Sequence, residues 1–284
     1  MSRDKGDAAA GPLGVQGLSF VDWAEGDGKP DSGWRRSLRP GQVPPVLLDG
    51  PIRVVYQPIV DLRTGGVFAY EALLRSDAPG FQGVESLIHD SVQAGVMGML
   101  GRAIRDLAVS GCTTHPLFMN LHPSEFDEGW LVRPDDPVFR HDHPVFLEVT
   151  ESVPLSHFAQ CHSVLAEVRH KGISLAVDDL GAGYSNLKYI ADLSPEIVKL
   201  DRGLIANMRH DSRQQRLVSS IVHLCEDMGA QVVVEGVETP EEAAAARSTG
   251  AHFGQGYHWA RPSSSPPVVA APATGRGPGL TEPF

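Results

Sequence analysis

The sequence predicts an α/β protein built as a (β/α)8 TIM-like barrel whose first strand runs antiparallel to the others. Three observations carry that prediction. A hairpin opens the regular part of the chain, six short apolar runs alternate with helix-like segments after it, and almost every run ends on an ionisable or amide side chain.

Taken in order, residues 53–60 read as a strand, Thr64-Gly65-Gly66 as a turn and residues 67–74 as a second strand. So short a glycine-containing link makes the two a hairpin. Residues 84–109 follow with Leu87, Ile88, Val92, Met99, Ala103, Ile104 and Leu107 near helical spacing, which predicts one long helix with Gly111 as its C-cap. The apolar runs come next, at 117–121, 145–149, 173–177, 197–200, 231–234 and 251–256, and the clearest helices between them span 157–170, 212–228 and 240–248. Continuous rather than alternating apolar runs mark strands buried on both faces, and helical crossovers imply parallel pairing. With the hairpin this makes eight strands, the number that closes a barrel filled by its own side chains. An open doubly wound sheet is the alternative.

The flanks are of another composition. Residues 1–50 are rich in Gly, Pro and Asp and read as an irregular leader. Phe20, Trp23 and Trp34 there are expected to anchor it across the domain surface, with a partner-binding motif as the rival reading. Residues 51–262 form the barrel domain, and residues 263–284, dominated by Ser, Pro, Ala and Gly, are expected to be a disordered tail.

With 35 acidic against 24 basic side chains the chain carries a net charge of −11. That balance argues against a protein that grips DNA or RNA by neutralising phosphates. Cys112, Cys161 and Cys225 are far apart and suggest neither a disulfide framework nor a zinc ribbon. No run is long and apolar enough for a membrane span, and the expected location is the cytoplasm.

The polar residues at the strand ends are the informative part. The second strand carries Glu71, the third Asn120 and the fourth Glu148, with Glu151 beyond it; the fifth ends in Asp178-Asp179. The sixth carries Lys199 and Asp201, the seventh Glu235 with Glu238 after it, and the eighth Gln255. A lone acid at a strand end is ordinarily a solvated cap. Gathered at one barrel mouth, Glu71, Glu148, Asp178, Asp179 and Glu235 would force like charges together unless cations neutralise them. Carboxylates plus the Asn120 amide are an oxygen-only donor set, suited to Mg2+ or Mn2+. Five acids favour two ions, which can activate a water and clamp a phosphoryl group about 3.5–4 Å apart. Lys199 could then hold water or phosphate, or pair structurally with Asp201, and Arg75 could fork a phosphate.

Other constellations are weaker. Gly181-Ala182-Gly183 lacks the third glycine of a dinucleotide fingerprint. His141 with His143, and Cys161 with His162, lack a complete ligand spacing, while His122 lies close enough to Asn120 to line the mouth. No Gly-x-Ser-x-Gly elbow supports a serine hydrolase.

Glu71-Ala72-Leu73-Leu74-Arg75 and the segments around it resemble the EAL-domain cyclic di-GMP phosphodiesterases. Tyr56-Gln57-Pro58-Ile59, Phe118-Met119-Asn120-Leu121, Glu148-Val149-Thr150-Glu151, the run from Asp178 to Ser185, Val198-Lys199-Leu200-Asp201, Glu235-Gly236-Val237-Glu238 and Gln255-Gly256-Tyr257 follow in that family's order, from about Ile52 to Pro262. The resemblance implies hydrolysis of cyclic di-GMP to linear pGpG with two Mg2+ or Mn2+ ions held by Glu71, Asn120, Glu148, Asp178, Asp179 and Glu235. It implies that Lys199 assists the attacking water beside the catalytic acids Glu71 and Glu235. It implies that Glu151 braces the loop starting at Asp178, and that Gln57, Leu74, Arg75, Asp201, Glu238, Gln255 and Tyr257 serve the substrate. A homodimer is the implied assembly. Leu180, Ala182, Asn186 and His258-Trp259 depart from the family's common residues, which bears on loop dynamics and rate rather than on ligands. The competing readings are a cyclic di-GMP receptor or protein-docking module without turnover, and a barrel enzyme for another phosphodiester.

Overall fold

In the computed structural model, which describes residues 52–76, 83–126, 131–150, 155–181, 187–206, 208 and 210–269 (backbone alone at 155–162 and 189), eight strands close into one barrel in sequence order. β1 (Ile52–Asp61) and β2 (Val67–Ser76) form the hairpin, with Gln57 opposite Glu71. Its turn is built as the residue types require: Asp61 Oδ1 accepts the N–H groups of Arg63 and Thr64 at 2.9 and 2.7 Å, and Gly65 takes φ 74°. β3 (Leu117–Asn120), β4 (Val145–Thr150), β5 (Ser174–Leu180), β6 (Ile197–Leu200), β7 (Gln231–Val234) and β8 (Phe253–Gln255) continue in parallel, and β8 meets β1 antiparallel to close the ring. The first strand is thus reversed, as its hairpin link demands.

Inside the barrel each strand contributes one residue to an apolar layer: Ile59, Ala69, Phe118, Phe146, Ala176, Ile197, Val233 and Phe253. Phe118 stacks on Phe146 at 4.3 Å and Phe68 on Phe253 at 4.1 Å, so the lumen is plugged rather than open. Strand side chains alternate with a period of two. Two residues further toward the mouth, counted backward along the reversed β1, therefore stand Gln57, Glu71, Asn120, Glu148, Asp178, Lys199, Glu235 and Gln255. An apolar layer carries a polar layer, and the register of the strands makes the second follow from the first.

The segment expected as one helix over 84–109 is two, α1 (Val84–Gln93) and α2 (Met97–Gly111). Between them Gly95 adopts φ 67°, and its N–H and that of Val96 bond back to the carbonyls of Val92 and Ser91 at 3.0 Å each. That is a helix stop built on a left-handed glycine. Apolar periodicity runs across it unbroken, which is why spacing alone does not reveal it. Gly111 is no C-cap either. It is the last helical residue, and a Cβ there would sit 2.1 Å from the Tyr56 hydroxyl, which donates to the Ala108 carbonyl at 3.0 Å. The glycine admits a close approach of helix to strand.

α3 (Leu155–His170), α4 (Lys188–Leu193), α5 (Arg202–Ile205), α6 (Ser212–Asp227) and α7 (Pro240–Ser248) complete the outer ring. α7 begins with a capping box: Thr239 accepts from Glu242 N at 3.2 Å and Glu242 accepts from Thr239 N at 3.2 Å. Among the described residues no helix is long and apolar enough to cross a membrane.

The expected disorder from residue 263 onward is corrected for residues 263–269. Tyr56 N–H donates to Ser263 O at 2.7 Å, Ser263 N–H returns a bond to Tyr56 O at 3.0 Å, and the Tyr70 hydroxyl donates to Pro267 O at 2.9 Å. Pairing of β1 with β8 ends at Ile59 opposite Gln255. That leaves the Tyr56 backbone unpaired on this side, and the chain leaving β8 satisfies it. The leader, with Phe20, Trp23 and Trp34, and residues 270–284 lie outside the described residues.

Candidate metal centre at the barrel mouth

Lys199, near the end of β6, is 1 % exposed and stands among four carboxylates. Its ammonium lies 2.6 Å from Glu148 Oε1, 2.7 Å from Glu235 Oε1, 3.0 Å from Asp178 Oδ1 and 3.5 Å from Glu71 Oε2. Burial alone works against a buried ammonium, yet Asp178, Glu148, Glu235 and Glu71 together lift it well above its ordinary value, so it stays charged. One cation does not balance the acids. Burial pushes Glu148 and Glu235 well above the usual carboxylate range and Asp178 above it, neighbouring acids add to the push, and Lys199 opposes it in each case.

Adjacent strand residues ordinarily point to opposite faces, so Asp178 and Asp179 should not reach one site. Here they do. The pairing of β5 with β6 shifts register between Val177 and Leu180, and Asp179 takes φ 59°, a left-handed conformation uncommon for a residue with a side chain. The bulge turns both acids inward, and oxygens of Asp178, Asp179 and Glu235 lie within 4.8 Å of one another.

Amides complete the ring. Gln255 Nε2 donates to Glu71 Oε2 at 2.5 Å and to Gln57 Oε1 at 3.3 Å, and Asn120 Nδ2 donates to Glu71 Oε1 at 3.3 Å. Even so, Glu148 Oε2 and Gln255 Oε1 are buried without a hydrogen-bond partner among the described residues, and Glu148 Oε1 and Asp178 Oδ1 share the single Lys199 ammonium. Buried unsatisfied oxygens are costly and call for an explanation. A divalent cation supplies one. The donors are all oxygen, several are negatively charged, and the unsatisfied ones face the same layer, so the residues present fit Mg2+ or Mn2+.

The remaining expected residues lie around this ring. Arg75 follows Leu74 at the end of β2 and donates to the Leu74 carbonyl at 2.8 Å; half-burial lowers its pKa, with Glu71 opposing. Tyr257 lies under the Arg261 guanidinium, 4.1 Å from the ring centroid. Asp201 accepts the Gly203 N–H at 2.7 Å as the N-cap of α5, and Glu238 is ion-paired with Arg202, so neither touches the Lys199 cluster. The alternative pairing of Lys199 with Asp201 is therefore not the one formed. His122 Nδ1 accepts from Ser124 N at 3.1 Å, and His141 Nε2 bonds the His115 carbonyl at 2.9 Å at the opposite end of β3. Glu151 and the side chains of Cys161 and His162 lie outside the described residues.

A family model described as the EAL domain matches residues 43–262. The chain belongs to the EAL domain family. Cyclic di-GMP phosphodiesterase PA2567 of Pseudomonas aeruginosa is 32 % identical over 222 residues, covering 74 % of this chain and 38 % of that protein. Cyclic di-GMP phosphodiesterase RocR of the same organism is 30 % identical over 230 residues, 76 % of this chain and 58 % of its own length. The chain thus spans well under two thirds of these relatives. Among solved structures, the Klebsiella pneumoniae BlrP1 manganese/cyclic di-GMP complex at pH 6 superposes with a TM-score of 0.64 at 30 % identity, over 81 % of this chain and 59 % of that one. The PaMucR phosphodiesterase in complex with cyclic di-GMP gives 0.63 at 28 % identity, over 76 % and 92 %.

Sequence reasoning passed over two features of this EAL domain. One is Arg261 on Tyr257, where the signal was a basic residue four positions beyond an aromatic one. The other is a buried ionic cluster of Arg105, Glu125 and Asp136, signalled by an arginine on the buried face of α2 beside Leu100, Gly101 and Ala108.

Proposed function

We propose that this EAL domain hydrolyses cyclic di-GMP to linear pGpG, using two Mg2+ or Mn2+ ions held by Glu71, Asn120, Glu148, Asp178, Asp179 and Glu235. The observation that supports this most is the excess of buried, partly unsatisfied carboxylate oxygen around Lys199. Family membership and the cyclic di-GMP named for its relatives supply the substrate.

In the reaction one water adds across one phosphodiester: a new P–O bond forms, the bond from phosphorus to the 3′ oxygen breaks, and a 5′-phosphate and a 3′-hydroxyl result. Bound divalent ions would lower the pKa of the attacking water and neutralise phosphoryl charge. The chain's own residues orient and hold. Lys199, kept charged by its acids, donates toward the water site; Gln255 and Asn120 hold the Glu71 carboxylate by one oxygen each, fixing its direction. Arg75 offers a forked contact to the second phosphate, with Leu74 and Gln57 shaping the wall beside it. Tyr257 offers a ring face to a base, and Asp201, Glu238 and Glu151 support the surrounding loops. The protein acts in the cytoplasm as a homodimer in this reading, with no polymeric nucleic acid as partner.

Incubation with cyclic di-GMP and Mg2+ or Mn2+, followed by chromatography of the products, tests the proposal beside Glu71→Ala and Lys199→Ala. Formation of pGpG by the parent and its loss by orders of magnitude in folded variants is expected. Binding without hydrolysis would indicate a receptor, and no binding would indicate another substrate.

A further inference from the structure

The Arg105 cluster lies outside the barrel, yet it reaches the mouth through the chain. Arg105, on the buried face of α2, is 2 % exposed, Glu125 1 % and Asp136 0 %. The guanidinium bonds Glu125 Oε2 through Nη1 at 2.5 Å and Asp136 through Nε and Nη2 at 3.1 and 2.8 Å. Glu125 uses its other oxygen, Oε1, to accept the backbone N–H of His122 at 3.1 Å. His122 is two residues past Asn120, whose amide holds Glu71. Opposite the carboxylate, Gly101 leaves the space that Glu125 fills: a Cβ there would lie 2.0 Å from Glu125 Oε2 and 2.4 Å from its Cδ.

From this connectivity we infer that Arg105 and Glu125 are positioning residues for Asn120 at the metal centre. Leu100 and Ala108 are fully buried where helix α2 packs on the opening hairpin. Arg105 ties Glu125 to that packed helix, and Glu125 pins the turn after β3 by the His122 N–H, which fixes the direction in which the Asn120 side chain meets Glu71. Asp136 holds the far side of the guanidinium and caps the turn at Val138 by accepting its N–H at 3.2 Å; it does not touch the β3 turn. The cluster is asymmetric: one acid serves the site, the other the arginine. The inference rests on Asn120 being a metal ligand.

Mn2+ affinity, read from the free-ion signal in electron paramagnetic resonance on the full chain, tests it at a temperature where circular dichroism finds each variant folded. Glu125→Gln, which keeps an acceptor for His122 but loses the grip on Arg105, is expected to weaken Mn2+ binding about tenfold or more, the usual effect of disturbing a ligand's support. Gly101→Ala, which displaces Glu125 without changing charge, is expected to do the same. Asp136→Asn is expected to lower Tm while leaving Mn2+ affinity within about twofold. Parent-like Mn2+ affinity in folded Glu125→Gln and Gly101→Ala would overturn the inference alone. A parent chain that takes up no Mn2+ would overturn the metal centre itself, and this inference with it.

Discussion

Replacing Lys199 by Met removes the only cation within 4 Å of Glu148, Glu235 and Asp178 among the described residues, while keeping an unbranched side chain one atom shorter. Taking away one member of a buried ion pair costs about 3–5 kcal/mol, because the partner is left charged and dry. For a domain of this size each kcal/mol moves Tm by about 2–4 °C, so a fall of about 6–20 °C is expected in chelator. The deficit should grow with pH. Burial already holds Glu148 and Glu235 above the usual carboxylate range, and losing the ammonium raises them further. The folded variant then binds protons that the unfolded chain has released, and stability falls as pH rises through the folded values. Thermal melts of parent and variant at about pH 6 and pH 8, with chelator and again with Mn2+, separate the contributions. Mn2+ should return part of the loss by binding the folded state. A variant that melts within a degree or two of the parent in chelator at the higher pH would refute the reasoning, since it would show the acids were never crowded.

Further outcomes follow from packing. Gly111→Ala should cost about 1–3 kcal/mol through the 2.1 Å approach to the Tyr56 hydroxyl, and Tyr56→Phe in the same chain should suppress part of that cost, a coupling read from a double-mutant cycle. Tyr56 also predicts an alkaline limb: burial, with Cys112 adding, holds its phenol up to about 12 against an ordinary 10.0. The unfolded phenol ionises first, so stability should decline between about pH 10 and 12, by up to about 3 kcal/mol, and denaturant melts of Tyr56→Phe should lack that share. Phe118→Ala should destabilise by about 3–5 kcal/mol, since Phe118 is fully buried in the barrel layer and stacked on Phe146. Cys225, buried and pushed up to about 11, should resist alkylation in the native chain and react on unfolding, as mass spectrometry of labelled peptides would record.

Most of the barrel is readable in the sequence because one physical rule generates it. Continuous apolar runs give strands buried on both faces, and the two-residue alternation from Phe118 to Asn120, Phe146 to Glu148 or Ile197 to Lys199 converts an apolar layer into the polar one above it. What escaped depends on single backbone conformations. Gly95 ends α1 inside an unbroken apolar period, and Asp179 reaches the centre only because of a bulge with φ 59°. The pairing of Ser263 with Tyr56 reflects an unpaired edge left by a short β8, which composition cannot express. Lys199 was open between Asp201 and the acids in sequence; three dimensions choose the acids, because Asp201 is committed to capping α5.

Crystals grown with Mn2+ and cyclic di-GMP and measured at the manganese absorption edge would locate the ions directly. The account predicts two anomalous peaks inside the ring formed by Glu71, Asn120, Glu148, Asp178, Asp179 and Glu235, with a substrate phosphate against them. Saturating Mn2+ that leaves this ring without a peak, the acids still gathered on Lys199 alone, would contradict it.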